Sequence, residues 1–254
     1  MSQSKLPMKI IFNDKLCILG TSHIYEKMEI IVHDELVKFN PDLVLLELDS
    51  ERYELITFLI ESGFDDPFNL DYKALAARIS ELDDEIVDDF DDSELFAYDI
   101  MNEIHDIQQN LGEREKLLLG IEFFTAICYA REHNKPVELI DFSISEITNE
   151  IAKIDPSKLE SFLNELKNTS ITELQEEYQD LVDNIGNQEH ISKIRDEFKQ
   201  ENPEIYEILI ENRDANMSNR IWDVYEKSGH KKLFVIIGAG HFDGIIDNLQ
   251  GKYS

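Results

Sequence analysis

Few folds accommodate a chain in which short, almost uninterrupted apolar segments alternate with helix-like stretches. Residues 42–48 and 232–238 are two such segments, and each has the pattern of a strand buried on both faces. Residues 25–39 have the pattern of a helix that follows a first strand and leads into residues 42–48, which makes a β-α-β unit with parallel strands. A further strand is expected at residues 135–141. The sequence therefore predicts an α/β fold with a mixed, mainly parallel central sheet.

A hairpin at the amino-terminal end and several flanking helices complete the predicted fold. The hairpin joins two short strands, residues 9–12 and 16–19, across Asn13-Asp14, a pair suited to a tight turn. The flanking helices are expected at residues 50–60, 81–94, 113–133 and 203–227, with a loop at residues 64–70.

A long, highly charged tract, residues 146–201, is predicted to be a helical insertion that packs over the sheet. Its apolar residues recur at three- and four-residue steps, with breaks near Thr169-Ser170 and Gly186-Asn187. Because no segment has the length and composition of a flexible linker, residues 1–254 are predicted to form a single domain.

The acidity of the chain limits its partners. Its 54 acidic residues outnumber its 24 basic ones, for a formal charge of −30. A nucleic acid or an anionic membrane needs a positive face, so neither is expected as a partner. A high-salt cytoplasm and a well-solvated surface both account for this acidity, and homo-oligomerisation is compatible with it.

The expected location is the cytoplasm. Residues 1–10 lack the apolar core of a signal peptide, and no run of about 18 uncharged apolar residues occurs, so we expect neither secretion nor a membrane span. The two cysteines, Cys17 and Cys128, lie inside apolar segments. We therefore expect two buried thiols in a reducing compartment rather than a disulfide or a thiolate metal site.

Two Gly-x-x-His motifs follow buried strands. Gly20-Thr-Ser-His23 comes directly after the first strand of the β-α-β unit, and Gly238-Ala-Gly-His241 follows the last strand. Ligands of open α/β sheets bind at the carboxyl ends of the strands, where glycine allows a sharp turn and close approach. A single histidine there is more often structural, but the duplication predicts two imidazoles at one edge of the sheet.

Two carboxylates stand in apolar surroundings. Glu47 is the only ionisable residue of Val44-Leu-Leu-Glu-Leu48, so it needs a partner, a proton or a cation. A buried salt bridge is the alternative to a functional role. Glu122 lies on an apolar helical face, where a carboxylate can be a ligand, a general base with a raised pKa or the partner of a buried cation.

An arginine interrupts the apolar stripe of the predicted helix 203–227. The positions of this stripe follow one another at four-residue steps: Leu209, Arg213, Met217, Ile221 and Tyr225. Arg213 should therefore face inward, where a guanidinium needs a carboxylate or an anionic ligand. The candidate partners are Glu211, Asp214, Glu47 and Glu122.

Four motifs that contain these residues resemble the TraB/PrgY family. In chain order they are Gly20-Thr-Ser-His23, Pro41-Asp-Leu-Val-Leu-Leu-Glu-Leu-Asp-Ser-Glu-Arg52, Glu211-Asn-Arg-Asp-Ala-Asn-Met217 and Val235-Ile-Ile-Gly-Ala-Gly-His-Phe-Asp-Gly244. The match runs from about residue 16 to residue 246. This family shares paired Gly-x-x-His motifs with the Tiki proteases and is more distantly similar to erythromycin esterases and ChaN.

The resemblance implies a mixed α/β fold with His23, Glu47 and His241 in the site, and with Arg213 and Asp214 close by. The correspondence of Gly120-x-Glu122 adds Glu122. Tiki-like members are divalent-metal peptidases, with manganese or cobalt implicated, and TraB/PrgY proteins are linked to shutdown of peptide pheromones.

The chain departs from the family pattern in two places. Asp141 is followed by Phe142 where the family often has arginine, so one polar contact of the site is expected to be missing. Many members end in transmembrane helices, whereas this sequence ends at Ser254, so a membrane function is not carried over.

These observations lead to the hypothesis of a metal-dependent, peptidase-like hydrolase acting on a peptide or small molecule. His23, His241 and Glu47 would bind a divalent ion, manganese, cobalt or zinc, which activates water for attack on an amide carbonyl. Glu122 would be the general base. Arg213 would steady the oxyanion or a substrate carboxylate, with Asp214 orienting Arg213 or a histidine. The insertion would act as a lid.

Three rival interpretations stay open. A histidine activated by Glu47 deprotonates water without a metal, as in the erythromycin esterases. The same pocket binds a peptide, or haem as in ChaN, without turnover. The charged residues form only a structural ion network, in which case alanine substitutions chiefly lower the melting temperature.

Overall fold

The computed structural model describes residues 7–22, 25, 27–66, 92–115, 120–169, 176, 179–180, 183–184, 186–229 and 231–253. The strands are β1 (Lys9–Phe12), β2 (Leu16–Thr21), β3 (Leu43–Leu46), β4 (Val137–Leu139) and β5 (Leu233–Gly238). The helices are α1 (Met28–Phe39), α2 (Ser50–Glu61), α3 (Asp92–Glu115), α4 (Ile121–Glu132), α5 (Ile144–Ile151), α6 (Pro156–Asn168), α7 (Gln188–Glu201), α8 (Pro203–Tyr206), α9 (Asn212–Lys227) and α10 (Phe242–Tyr253).

The strands form one sheet in the order β1-β2-β5-β3-β4, with β1 antiparallel to β2 and the other neighbours parallel. The predicted mixed, mainly parallel α/β fold is therefore confirmed. One detail needs correction: β2 and β3 run in parallel but do not pair, because β5 lies between them. A crossover helix sets the direction of the next strand but not its position. The fully buried β5 takes the central place, where both of its edges are paired.

The predicted hairpin is present between β1 and β2. Asn13 and Asp14 have φ values of 48° and 56°, the left-handed region that Asn and Asp tolerate better than most residues. The amide of Lys15 then donates to the carbonyl of Phe12 at 3.0 Å, which closes the turn.

Each face of the sheet has its own hydrophobic cluster, because alternate residues of every strand point in opposite directions. Cys17 and Leu19 of β2 pack with α1, α2 and α4 on one face. Leu16 and Ile18 pack with α9 and α10 on the other. Coverage on both faces explains why these strands are apolar throughout. Both cysteines are buried and free, as expected.

The helices of the predicted insertion build a third cluster, in which α5 and α6 pack against α3. This arrangement corrects the expectation that the whole insertion covers the sheet; among the described residues, α7 makes that contact through Ile191. The insertion is interrupted where expected, since α6 ends at Asn168 and α7 begins at Gln188.

Other helix boundaries differ from the predicted ones. The helix expected at residues 113–133 begins only at Ile121, after Gly120, whose φ of 73° is unsuited to a helix. The helix expected at residues 203–227 contains a π-helical segment, Glu207–Glu211, before α9. Most of the acidic tract at residues 81–94 and of the loop at residues 64–70 lies outside the described residues. Within the described part of the chain, no helix combines the length and the apolar character that a bilayer crossing requires.

Candidate functional site

The candidate site lies at the carboxyl ends of β2, β5 and β3. Thr21, the last residue of β2, is the register partner of Gly238, the last residue of β5. The two Gly-x-x-His motifs therefore leave neighbouring parallel strands at the same edge. The chain after β5 forms a single 3-10 turn, Ala239–His241, which delivers His241 to the start of α10.

His241 is buried and is held by a carboxylate. Its Nδ1 lies 2.6 Å from Oδ1 of Asp214, which is buried at the start of α9. A carboxylate accepts hydrogen bonds, so Nδ1 carries the proton. The other ring nitrogen, Nε2, lies 3.4 Å from Oε1 of Glu47. Asp214 therefore fixes the direction in which the imidazole presents Nε2.

The second oxygen of Asp214 binds an arginine from the insertion. Nη2 of Arg195 donates to Oδ2 of Asp214 at 2.9 Å, Nη1 donates to the carbonyl of Gly240 at 2.8 Å, and Nε donates to the hydroxyl of Tyr206 at 3.1 Å. Burial alone would lower the pKa of Arg195, but Asp214 and Tyr206 outweigh it and raise that pKa. Arg195 is therefore a fixed positive charge behind the Asp214–His241 pair.

Glu47 follows β3 directly and is almost fully buried. Its Oε1 accepts from Nη2 of Arg213, and its Oε2 accepts from the backbone amide of Gly238, both at 2.6 Å. The buried salt bridge considered for Glu47 is thus present. The same contacts aim the carboxylate at His241, so the salt bridge and a place in the site occur together.

Arg213 faces inward as predicted, with 14% of its side chain exposed. Besides Glu47 it binds Asp141, through Nε at 3.0 Å and Nη2 at 2.8 Å, and Nη1 donates to the carbonyl of Leu209 at 3.1 Å. Burial alone would lower the pKa of Arg213, but Asp141 and Glu47 raise it above its ordinary value.

The partners predicted for Arg213 are therefore correct only in part. Glu47 is a partner, whereas Glu211 forms a surface ion pair with Lys199, and Asp214 hydrogen-bonds Arg195 and His241. The remaining carboxylate is Asp141, which comes from the loop after β4.

Asp141 joins two arginines. Its carboxylate, which is fully buried, accepts from Arg213 and from Nη2 of Arg52 at 2.8 Å, and Nε of Arg52 donates to Asp49 at 2.7 Å. Burial alone would raise the pKa of Asp141, but Arg213 and Arg52 outweigh it and hold that pKa well below its ordinary range. Arg52 also donates to the carbonyl of Phe142 at 3.4 Å, so this position after β4 has a guanidinium from α2 beside it.

Glu122 approaches the same edge from the other face of the sheet. It lies in the first turn of α4 and has no exposed surface. Its Oε1 is 3.5 Å from the hydroxyl of Thr21, which also donates to the carbonyl of Ile237 at 3.1 Å. Thr21 continues the β2 alternation that puts Cys17 and Leu19 on the face covered by α4. Glu122 and the Glu47–His241 group thus reach the strand ends from opposite sides.

His23 lies outside the described residues, so the distance between the two imidazoles stays a prediction. In the part of the chain that the structure describes, no group of three or more His, Cys, Asp or Glu side chains is arranged to hold a metal ion. Two atoms that could bind a metal ion, Nε2 of His241 and Oε1 of Glu47, lie 3.4 Å apart. An imidazole nitrogen and a carboxylate oxygen are ligand types that could hold a divalent cation.

Sequence reasoning missed several residues of this network: Asp141, Arg195, Arg52 and Tyr206. Asp49 was missed as well, although its carboxylate caps α2 and accepts from Arg52. Arg195 was detectable, because it lies four residues after Ile191 on the buried side of α7. Arg213 follows the apolar Leu209 at the same spacing. Asp141 gave a weaker signal, since an acidic residue after a strand is common.

Comparison with known proteins agrees with the motifs. Residues 8–252 match the model of the TraB/PrgY/gumN family. Over 238 residues the chain is 25% identical to a Methanocaldococcus jannaschii protein named "Uncharacterized protein MJ1365". The matched region covers 92% of this chain and 53% of that relative, so the chain spans about half of the relative's length.

Proposed function

This chain belongs to the TraB/PrgY/gumN family, and from that premise we propose that it is a peptidase-like hydrolase. Its site would hold a divalent cation, manganese, cobalt or zinc, between His241 and Glu47, with His23 as the third ligand. The resemblance to the Tiki-type proteases supports a peptide as the substrate.

The observation that carries this proposal is the approach of Nε2 of His241 to Oε1 of Glu47. The imidazole donates its Nδ1 proton to Asp214, so Nε2 carries a lone pair. Nε2 lies 3.4 Å from Oε1 of Glu47, an oxygen that also carries lone pairs. An imidazole nitrogen and a carboxylate oxygen are both ligand types that divalent cations such as zinc accept. Two ligands on a tetrahedral ion with bonds of about 2.0–2.2 Å stand roughly 3.4 Å apart, so the spacing supports a cation.

The surrounding charges favour the same conclusion. Among the described residues, the connected network contains four carboxylates, Glu47, Asp49, Asp141 and Asp214, against the three guanidinium groups of Arg52, Arg195 and Arg213. One negative charge is therefore in excess beside the imidazole. A metal-binding imidazole also usually donates the N–H of its other ring nitrogen to a carboxylate or a similar acceptor, as Nδ1 of His241 does to Asp214.

The geometry supports a change in the role of Arg213. At least four of its five N–H groups donate to Glu47, Asp141 and Leu209, so little of the guanidinium is left to bind an oxyanion or a substrate carboxylate. In the proposal Arg213 holds Glu47 in place. Asp214 orients His241, and Glu122 stays the general base.

When bound, the cation would lower the pKa of a water molecule and polarise the substrate carbonyl. Glu122 would accept a proton from the water, whose hydroxyl adds to the carbonyl carbon of the amide. The carbon–nitrogen bond then breaks, and the proton passes from Glu122 to the departing amine.

A metal-free reaction is the second candidate, and the Asp214–His241 hydrogen bond favours it. The same 2.6 Å contact that supports a metal ligand also makes Nε2 a base toward water, as in hydrolases that use a His–Asp pair. In the metal-free reaction Nε2 of His241 takes the proton of the water directly. Glu47 and Arg213 line the space beside this nitrogen.

Protein purified without added metal distinguishes the two candidates. Metal content is measured first, and hydrolysis of a mixture of synthetic peptides is then followed by mass spectrometry with chelator and with added manganese, cobalt or zinc. The proposal expects bound metal and chelator-sensitive cleavage, lost in His241→Gln and kept in His33→Gln, whose histidine is half-exposed on α1. Cleavage at the same rate with and without chelator indicates the metal-free reaction. If His241→Gln cleaves as fast as the unmodified protein, both candidates fail.

A further inference from the structure

One side chain of the predicted insertion ends inside the candidate site. Arg195 lies in the middle of α7, yet only 14% of its side chain is exposed. Its three nitrogens donate to Oδ2 of Asp214, to the carbonyl of Gly240 and to the hydroxyl of Tyr206. The first two partners stand on either side of His241, one at its ring and one at its backbone.

We infer that Arg195 is a positioning residue for His241, an inference that rests on the proposed function of the site. By occupying Oδ2, the guanidinium leaves Oδ1 of Asp214 as the oxygen that faces Nδ1 of the ring. By binding the carbonyl of Gly240, it restrains the peptide that immediately precedes His241. The imidazole is thus oriented through its side-chain partner and through its main chain by a single planar group.

The packing around Asp214 supports this inference independently. Gly244, in the first turn of α10, lies against the pair formed by Asp214 and Arg195. A methyl group at position 244 would lie 2.8 Å from Cγ of Asp214 and 3.0 Å from Nη2 of Arg195, and would overlap the carboxylate. The backbone of α10 therefore reserves room for the carboxylate in the orientation that Arg195 and His241 share.

The chemistry of the side chain explains why it is an arginine. Donation from three nitrogens of one rigid plane to three separate acceptors is possible for a guanidinium but not for the single ammonium of lysine. Both the arginine and its carboxylate partner are largely removed from solvent, so the pair is weakly screened. It follows that the insertion takes part in the site through α7, and that displacing α7 would release His241.

The test compares Arg195→Met with Lys193→Met, a matched loss of a cation from the same helix. Lys193 is largely exposed and pairs with Glu197 across one turn. The first measurement is the NMR signal of the Nδ1 proton of His241 at about pH 8.5, roughly two units above the ordinary histidine pKa. His241→Gln identifies the signal, and Gly244→Ala shows its behaviour when Asp214 is displaced.

We expect a downfield, slowly exchanging Nδ1 proton in the unmodified protein and in Lys193→Met. The signal should be lost or moved upfield in Arg195→Met and in Gly244→Ala. Arg195→Lys, which keeps the charge and should keep the fold, is expected to give an intermediate position. The inference is overturned if the signal is the same in Arg195→Met as in the unmodified protein, or if the unmodified protein lacks it.

The second measurement is the affinity for Mn²⁺ by titration calorimetry. Loss of a group that supports a metal-binding histidine typically weakens binding by about 10–100-fold, and we expect a loss of this size in Arg195→Met but not in Lys193→Met. If the unmodified protein binds no Mn²⁺, Co²⁺ or Zn²⁺, the metal-dependent function fails, while the NMR comparison still decides the role of Arg195.

Discussion

Replacement of Asp141 by asparagine should be among the most destabilising single changes at the edge of the sheet. The carboxylate is fully buried and accepts two hydrogen bonds from Arg213, one from Arg52 and one from the amide of Phe142. Asparagine keeps the size of the side chain and one acceptor. It removes the negative charge and turns an NH₂ group toward a guanidinium.

The magnitude follows from the burial of Arg213. Removing one partner of a buried ion pair costs about 3–5 kcal/mol, because the other charge is left without compensation. Arg213 keeps Glu47 as a partner, so the cost should lie near the lower end, about 3 kcal/mol. For a chain of this size, 1 kcal/mol corresponds to roughly 2–4 °C, so the melting temperature should fall by about 6–12 °C.

Thermal unfolding followed by circular dichroism measures this effect, with Glu61→Gln as the control. Glu61 also pairs with an arginine, Arg131, at 2.9 Å, but 63% of the Glu61 side chain and 37% of that of Arg131 are exposed. An exposed pair of this kind contributes less than about 1 kcal/mol. Equal shifts in the two variants would refute the argument that burial, rather than the number of ion pairs, gives Asp141 its importance.

Three further predictions concern acid stability, the thiols and one backbone position. Because guanidinium groups hold the pKa of Asp141 below its ordinary 3.8, its stabilisation is complete above that value and is lost as the pH falls below it. Urea unfolding below about pH 4 should therefore depend less steeply on pH in Asp141→Asn than in the unmodified protein, and equal slopes would contradict this. Burial raises the pKa of Cys17 and of Cys128 to about 12, so Ellman's reagent at about pH 8 should label neither thiol before unfolding and both after it. Gly120→Ala, at a φ of 73°, should cost about 1 kcal/mol in thermal unfolding, whereas Gly251→Ala, in α10 with open space around it, should be neutral or slightly stabilising.

Local sequence patterns determined the strands, the hairpin and the side chains that conflict with their surroundings. An acidic residue after Val44-Leu-Leu, or an arginine in an apolar helical stripe, is visible without a structure because burial follows from hydrophobic periodicity. On this basis the sequence predicted Glu47 and Arg213 as candidate site residues, and the motif after β5 predicted His241. The structure brings these three side chains together.

Only the tertiary structure decided which charges meet. Arg213 binds Glu47 across 166 residues of sequence and Asp141 across 72, and the partner of Asp214 comes from the insertion. The sequence also left the order of the strands undetermined. The last strand of the chain, β5, lies between β2 and β3, far from both in the sequence. Hydrophobic periodicity reports how deeply a residue is buried, whereas ion pairing depends on distances and directions that arise only when separate elements pack together.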